Sequence, residues 1–509
     1  MSTSTLARPD RRRVLAGLLA AGASALPLPG RAAATADDTA ARFAAERATH
    51  PWTVGYVGLQ DDVAPMPLTL RGRLPAGLGG AFFRNGPARH ALGGERYHHW
   101  FDGDGMVQKY SLGERGIVHE GRFVRTPKFI ADSAAGRPVR AAFGTNPPGA
   151  APVTSPDSIN VANTSLVAHG GELLALWEGG SATVIDPATL ATGGPKVWSP
   201  DYAGMPFSAH PKREVDGSLW NFGVSSAQGM LSIYHVRASG ELAQAVTIPV
   251  PDIAMVHDFA VTARHLVFLL PPLVFDRERS RAGATFLDAH VWKPALGMRV
   301  LVLEKARLDR PRWFELPAGF VFHVGNACEE AGVIRLDHVR SDTAWQATTG
   351  LKDVMAGRYA RTEFSHAALI ELDLASGRAR QTVLPAECEF PRVDPRVVGR
   401  PYRFVYSAQR LAPGERPGFD AVMRLDVTTG RSDHYRYGED LMVEEHVFVP
   451  REATGNEGDG WLLGTALDLK HEQMLFSVFD AQRLADGPVM QATLARVMPL
   501  GLHAVHVPA

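Results

Sequence analysis

Short segments rich in β-forming residues recur every few tens of residues along the chain, with Gly, Pro, Asp and Asn between them. Helical periodicity is sparse. Three corners between such segments look alike, because IDPATLATG, LDLASGR and LDVTTGR each place an Asp before small residues and a Gly. The pattern predicts an all-β protein, and we interpret these three stretches as recurring hairpin corners.

One predicted hairpin contains residues that do not suit a buried strand. The stretch AMVHDFAVTARHLVFLLPPLVF (254–275) alternates, turns at TARH and continues as an apolar strand. His257 and Asp258 lie side by side in its first half. A polar pair in such a strand needs a partner, so His257 is a candidate functional residue.

No linker rich in Ser, Pro or charge interrupts residues 37–509, so we predict a single domain. A β-propeller accommodates many short strands by radial repetition without long exposed edges. Two stacked sandwiches are the structural alternative. The irregular stretches 128–162 and 275–297 are candidates for helices or loops over one face.

Charge and cysteine content exclude some classes of function. The chain has 53 Lys and Arg against 54 Asp and Glu, a formal net charge of -1, and no basic stripe that would neutralise nucleic acid phosphates. Cys328 and Cys388 are too few for a disulfide framework and form one bridge or none.

The N-terminus predicts an export signal over residues 1–36 and hence a periplasmic or otherwise exported protein. Three arginines (11–13) lead an apolar run from Val14 to Leu28, and small residues follow. The order of two Arg, any residue and two apolar residues matches the twin-arginine pattern, which belongs to proteins exported already folded. An ordinary Sec signal and an N-terminal anchor are the alternatives.

Four of the 19 histidines stand in strand-like contexts near an acid or an amide: His210, His257, His323 and His503. Their wide spacing excludes a local zinc finger or a metal-binding helix. They could meet only in a closed fold whose first and last strands are neighbours, as in a propeller. For each one alone, a hydrogen-bonded structural histidine is the alternative.

A series of motifs carries a resemblance that covers residues 50–509. In chain order they are FFRNGPARH, YHHWFDGDGMV, LLALWEGG, AHPK, MVHDFAVT, FHVGNACEE, EFPRVDPR, EEHVFVPR and GLHAVHVP. This order resembles the carotenoid cleavage oxygenase family. The resemblance implies a seven-bladed β-propeller with a cap of loops and helices. It also implies oxidative cleavage of a conjugated C=C bond by O₂ at one non-haem Fe(II) per chain.

By the same resemblance, the iron ligands are His210, His257, His323 and His503. The last motif departs from the family pattern at Leu502 and Ala504, and His506 is a rival to His503. Neutral imidazole suits Fe(II), and four such ligands leave two octahedral positions for O₂ and water.

The resemblance further assigns Glu178, Glu389 and Glu445 to orient three of the ligating histidines, since such histidines need a partner for the other ring N–H. Glu444 is a rival to Glu445. Thr164 matches a position beside the open iron site.

The choice between a carotenoid and a phenolic stilbene as substrate depends on Tyr97 and Lys128. Their spacing resembles that of a Tyr and a Lys with which stilbene-cleaving relatives bind a phenol. We favour a carotenoid or apocarotenoid, for which Lys128 should lie on the outer face. Cleavage of a phenolic stilbene, isomerohydrolase chemistry on a retinoid ester, and isoprenoid binding without catalysis are the alternatives, and the export signal disfavours the retinoid ester.

The expected partners are an apolar conjugated small molecule and O₂, with peripheral membrane contact for substrate uptake. We expect neither nucleic acid nor an obligate protein partner.

Changing Arg11 and Arg12 to Lys should leave the protein in the cytoplasm if the twin-arginine route is used, because that pair is what the route recognises. Cell fractionation and immunoblotting measure the outcome. Unimpaired export of the double variant would indicate the Sec route instead.

Overall fold

Seven antiparallel sheets surround one axis in the computed structural model, which describes residues 38–414 and 416–509. The predicted export signal lies outside the described residues, and the start of the domain at residue 37 stays a prediction. Within the described residues, no helix combines the length and the apolar character that a membrane crossing requires. The predicted all-β propeller is confirmed.

We number the seven sheets as blades in chain order and give the strands of each from the innermost outward. Blades 2, 3 and 4 are regular four-stranded units. Blade 2 comprises Ser165–His169, Glu172–Leu176, Thr183–Ile185 and Thr192–Pro195. Blade 3 comprises Lys212–Arg213, Leu219–Ser225, Met230–Val236 and Leu242–Pro249. Blade 4 comprises Phe259–Val261, His265–Leu270, Met298–Glu304 and Arg307–Leu316.

Blades 5 and 6 share one long strand. Blade 5 comprises Val324–Glu330, Val333–Ser341, Ser365–Asp373 and the first part of Ala379–Arg392. The second part, from Cys388 to Arg392, is the innermost strand of blade 6, followed by Phe404–Gln409, Ala421–Asp426 and Ser432–Arg436.

Blades 7 and 1 close the ring by combining strands from both ends of the chain. Blade 7 comprises Leu441–Pro450, Gly460–Asp468, Gln473–Asp480 and Met490–Leu494, with the N-terminal strand Thr69–Gly72 outermost. In blade 1 the C-terminal strand Ala504–Val507 is innermost, followed by Gly80–Arg89, Asp104–Gly113, Gly116–Phe123 and Val63–Pro67. Closure therefore brings the C-terminus to the axis.

The three predicted hairpin corners are confirmed, and each joins the third and fourth strands of a blade. Asp186, Asp373 and Asp426 each accept hydrogen bonds from the backbone N–H groups two and three residues onward. An Asp side chain that bonds the following backbone in this way replaces the missing ladder bonds of the turn.

The hairpin predicted at 254–275 forms with a shorter first strand. Phe259–Val261 pairs with His265–Leu270, and Thr262 N–H donates to the carbonyl of His265 across the turn. His257 therefore precedes the strand, and its side chain does not follow the strand's alternation between the two faces. Leu273–Phe275 leaves the blade and pairs with His290–Trp292 in a separate ribbon.

Helices and loops cover one end of the propeller. The predicted cap stretches 128–162 and 275–297 lie there together with residues 343–364, which the sequence did not single out, since all three line one cavity. The α-helices are Thr39–Glu46, Pro127–Ala135, Arg277–Arg281 and Leu351–Met355, with a π-helix at Gln346–Gly350. Short 3₁₀ turns are Pro51–Tyr56, Trp100–Asp102, Pro156–Ile159, Pro200–Tyr202, Pro294–Leu296, Pro395–Val397 and Leu484–Asp486, and Ala91–Leu92 pairs with Glu95–Arg96.

Apolar residues of neighbouring blades pack face to face, and the largest of the resulting clusters joins blades 1 and 7 to the N-terminal segment. Cys328 and Cys388 are both buried and free, which answers the open question of a disulfide.

Lys128 lies in a buried charged cluster beneath the cap, which corrects the expectation of an outer-face lysine. Its side chain is 0 % exposed, and Nζ lies 2.8 Å from Asp132 Oδ2 and 3.3 Å from Asp104 Oδ1. Nζ also donates to the hydroxyl of Tyr97 at 2.5 Å, and Arg89 pairs with Asp104 at 2.8 Å. The ammonium group of Lys128 is therefore paired with both carboxylates and with the hydroxyl of Tyr97.

The same cluster holds the cap in place. The second oxygen of Asp132 accepts hydrogen bonds from the backbone N–H groups of Val139 and Arg140 at 2.8 and 3.2 Å. Lys128 therefore neutralises a carboxylate on which the following cap loop depends.

Replacing Lys128 by Met should destabilise the protein by about 3–5 kcal/mol, because removing one partner leaves buried carboxylates unpaired. Thermal unfolding followed by circular dichroism measures the loss, and Lys470→Met, at an exposed turn, is the matched control. Equal stability of the two variants would contradict this structural role.

Candidate metal centre

Four histidines reach the axis because each precedes the innermost strand of its blade by one or two residues. His210, His257, His323 and His503 lead into the innermost strands of blades 3, 4, 5 and 1. A residue just before a strand lies outside its regular alternation, so its side chain can point toward the axis rather than into a sheet face. Ring closure then brings the first and last histidines of the set together.

The four Nε2 atoms converge. Nε2 of His257 lies 2.9 Å from that of His210 and 3.3 Å from that of His323, and Nε2 of His323 lies 3.1 Å from that of His503. All four ligand atoms lie within 4.8 Å of one another. Nitrogens at about 2.1 Å from a metal and at right angles would be about 3.0 Å apart. The spacing therefore fits four ligands of an octahedral ion.

Three carboxylates fix three of the rings through Nδ1. The Nδ1 distances are 3.1 Å from His257 to Glu178 Oε1, 2.5 Å from His323 to Glu389 Oε2 and 2.8 Å from His503 to Glu445 Oε1. A neutral imidazole that donates from Nδ1 has its lone pair at Nε2. The lone pairs of His323 and His503, whose Nδ1 atoms form hydrogen bonds, therefore point at one small volume, which is stable when a cation occupies it. The donor set fits a metal.

Burial and neighbouring charges shift the pKa values of four of these groups, and although burial lowers the pKa of His257, Glu178 raises it overall. Burial lowers the pKa of His503 to about 4 against the opposing effect of Glu445, and burial with the adjacent histidines holds the pKa of His210 well below its usual range. Although burial opposes it, Arg392 lowers the pKa of Glu445 to about 2. Neutral imidazoles and an ionised carboxylate are the forms that metal binding needs.

His210 differs from the other three, since no carboxylate in the described part of the chain forms an ion pair with it. Asp258, the acid that follows His257, instead supports this side of the site. Its oxygens contact Lys212 Nζ at 2.7 Å and accept from Val324 N–H at 2.8 Å. Asp258 thereby connects the segments that follow three of the histidines, which explains the polar pair in the predicted hairpin.

Two irregularities in the innermost strands aim the carboxylates. The pairing of blade 6 shifts register between Glu389 and Arg392, where Phe390 adopts a left-handed φ of 58°. This bulge lets Glu389 reach His323 while Arg392 contacts Glu445 at 2.7 and 3.0 Å. A second shift between Val443 and His446 accommodates two buried acids in succession.

The structure separates the rival residues that the sequence left open. Glu445 contacts His503, whereas Glu444 pairs with Arg84 and accepts from the N–H of Gly501 at 2.7 Å. His503 joins the histidine cluster, whereas His506 Nε2 lies 2.8 Å from the carbonyl of Gly79 in blade 1.

A cavity of about 1690 Å³ opens from the cap side onto His257, His323 and His503. Thr164 lines it, as do Glu178 and Glu389. Aromatic side chains form much of its wall: Trp100, Phe101, Phe143, Trp177, Phe286, Phe322, Phe390 and Phe419. The volume exceeds the several hundred cubic ångströms of an ordinary small-molecule site, so the cavity can hold a long ligand.

A second cavity of about 1800 Å³ follows the axis between the innermost strands on the opposite side. It is lined by His210, His323 and His503 and by charged residues that include Lys212, Asp258 and Arg392. The metal centre therefore lies where an aromatic cavity and a charged channel meet.

Tyr97 and Lys128 lie together but outside the lining of the cap-side cavity. Both side chains are buried in the cluster under the cap, so the structure does not bring them to the metal centre as it does Thr164.

Sequence reasoning missed Arg392 and the roles of Asp258 and Phe390. Arg392 and Phe390 both stand in the EFPRVDPR motif, directly after Glu389. A Pro between an aromatic residue and an Arg in a strand is a signal of a bulge, and it could have indicated them.

Comparison with known proteins agrees with this geometry. The family model described as retinal pigment epithelial membrane protein matches residues 59–508. The apocarotenoid-15,15'-oxygenase of Synechocystis is 30% identical and covers 89% of this chain and 95% of its own. Lignostilbene-alpha,beta-dioxygenase isozyme III of Sphingomonas paucimobilis is 29% identical, covering 86% and 93%.

Among solved structures, the cobalt-substituted apocarotenoid oxygenase of Synechocystis superposes with a TM-score of 0.81 at 27% identity. The match covers 90% of this chain and 98% of that one. The chain therefore belongs to the retinal pigment epithelial membrane protein family, the carotenoid oxygenase family that its motifs indicate.

Proposed function

We propose that the protein is an Fe(II)-dependent dioxygenase that cleaves a C=C bond of a carotenoid or apocarotenoid to two carbonyl products. The observation that carries the proposal is the convergence of four histidine Nε2 atoms at the inner end of a large aromatic cavity. Relatives named apocarotenoid and lignostilbene oxygenases support the class of reaction.

His210, His257, His323 and His503 would hold the iron. Bound Fe(II) would activate O₂ for reaction with the alkene, while the cleaved C=C bond itself supplies the electrons that reduce O₂, so no further reductant is needed. The chain contributes neutral ligands only, so the ion keeps its full positive charge, and Glu178, Glu389 and Glu445 fix the ring orientations.

The cavity wall positions the substrate and excludes water. Phe322 lies against His257 with ring centroids 5.3 Å apart, and Phe390 lies 5.5 Å from His503. Such rings favour a flat conjugated chain and leave water no polar partners beside it. Burial of a polyene is favourable at about 25 cal/mol per Å² of apolar surface. Thr164, which donates its hydroxyl to Asn163 Oδ1, lines the cavity and would restrict the space for small ligands beside a bound metal.

The decisive experiment is anaerobic reconstitution with Fe(II), exposure to O₂, and mass spectrometry of products from a carotenoid, an apocarotenal and a 4-hydroxystilbene. We expect two carbonyl products and the fastest turnover with the apocarotenal. Faster cleavage of the hydroxystilbene would favour stilbene cleavage, and binding without cleavage would indicate a non-catalytic isoprenoid binder. The peripheral membrane contact and the export of the folded protein stay predictions.

Replacing any one of the four histidines by Ala should reduce iron below one equivalent per chain and abolish cleavage, because an incomplete set leaves the ion exposed to loss. Metal analysis after desalting measures iron content. His506→Ala, three residues from His503, is the matched control and should retain iron. The reverse result for His503 and His506 would overturn the C-terminal ligand.

Replacing Glu445 by Gln should weaken iron binding by about 10–100-fold, because the neutral amide no longer raises the basicity of His503. Chelator competition under anaerobic conditions measures the affinity. Glu329→Gln is the control, since Glu329 Oε2 contacts Nδ1 of His265 at 2.7 Å away from the histidine cluster. Equal affinities of the two variants would contradict the orienting role.

A further inference from the structure

Arginines line the cap-side cavity at several places, and two of them, Arg361 and Arg410, lie close together. Glu387 and Tyr359 line the cavity beside them. Tyr359 and Arg361 belong to the segment that enters the third strand of blade 5. Glu387 lies in the strand that blades 5 and 6 share, and Arg410 follows the second strand of blade 6. They are separate from the metal ligands and from the residues that orient them.

The arginines are only partly neutralised. Arg361 forms an ion pair with Glu387, with side chains 11 % and 19 % exposed. Arg410 is 7 % exposed and donates its terminal nitrogens to the carbonyls of Gly418 and Gly414, yet its Nε has no hydrogen-bond partner among the described residues. A buried donor without an acceptor costs free energy.

Two guanidinium groups and two carboxylates meet at this part of the wall. Burial, then Arg361, and further Arg416 lower the pKa of Arg410, against the effect of Glu387. The other acid that lines the cavity nearby, Glu363, accepts from the hydroxyl of Thr343 at 3.0 Å. The two guanidinium groups thus line the cavity together with Glu387, the ion-pair partner of Arg361, and with Glu363.

The cluster lies two aromatic rings from the metal centre. Phe390 is 5.5 Å from the ring of His503, and Phe419 is 6.2 Å from Phe390 between centroids. The residue before Phe419 is Gly418, whose carbonyl accepts from Arg410. A flat chain that lies along these rings would extend from the iron to the guanidinium groups.

We propose that Arg361 and Arg410 bind an oxygen-bearing end of the substrate, a carboxylate above all and a carbonyl more weakly. The proposal rests on the proposed function and narrows its substrate class to conjugated chains with such a terminus. Guanidinium groups recognise carboxylates through paired charge-assisted hydrogen bonds. A polyene acid and a carboxylated stilbene share this chemistry.

The test measures binding by quenching of tryptophan fluorescence, with the iron-loaded protein under anaerobic conditions so that no turnover occurs. The probes are retinoic acid and retinol for the polyene series, and 4-carboxystilbene and stilbene for the other. We expect the acid to bind at least about tenfold more tightly than its neutral counterpart, the effect of one hydrogen bond to a charged group.

Arg361→Gln and Arg410→Gln should each reduce this preference to nearly one, and Arg361→Lys should retain part of it. Arg380→Gln is the matched control, because Arg380 is exposed and pairs with Glu371 in blade 5. Melting temperature and iron content monitor folding, and Arg361→Gln provides the test should Arg410→Gln fail to fold.

Equal binding of acid and neutral probes by the wild type, or a preference that survives both substitutions, would overturn the inference. An arginine-dependent preference in the stilbene series alone would support the subsite and contradict the polyene substrate. The proposed function fails separately, if the iron-loaded protein in air cleaves no conjugated substrate whatever its binding preference.

Discussion

The convergence of imidazole nitrogens on one point is the constraint on which the rest of the structure depends. Lone pairs about 3 Å apart repel one another, and burial denies them water. Such an arrangement persists only in a rigid surrounding that a cation completes. A closed ring of blades meets this need, because each innermost strand is fixed by neighbours on both sides. His503 comes from the last segment of the chain, so the four histidines meet only when the ring closes.

Each of the seven blades contributes one side chain to the site at the axis. Four present a histidine, and the other three present the carboxylates Glu178, Glu389 and Glu445. A regular strand alternates its side chains and cannot direct successive residues to one side, which is why the register shifts occur in blades 6 and 7. The register shift in blade 6 requires a left-handed backbone conformation at Phe390, which is unfavourable for a residue with a side chain.

The sequence predicted what local patterns and ordered motifs determine. The Asp corners follow from hydrogen bonds within a few residues, and the four histidines stand in motifs whose order is that of the family. The alternation of apolar residues predicts a first strand that already includes His257. In the structure the paired strand begins only at Phe259, because the blade leaves the preceding residues unpaired. The i,i+4 pair of Lys128 and Asp132 does not reveal burial, because such pairs are equally typical of an exposed helix face. The burial depends on Asp104 and Tyr97, which lie in earlier segments. The sequence did not indicate Arg361 and Arg410 either, because the residues around them come from two blades and the cap.

A cavity lined by aromatic rings explains the affinity for a conjugated substrate, but it does not explain where along the cavity the substrate stops. Stacking and apolar burial favour such a chain strongly, but they change little when the chain slides by one double bond. The position of cleavage then depends on whatever fixes the chain along its length. Closure of the cavity can do this by shape, and a polar end group can do it by pairing at a set distance from the iron. In this chain the guanidinium groups of Arg361 and Arg410 are firmly held, by Glu387 and by the Gly414 and Gly418 carbonyls. A rigid cation at a fixed number of rings from the metal would convert the affinity for an end group into a choice of bond.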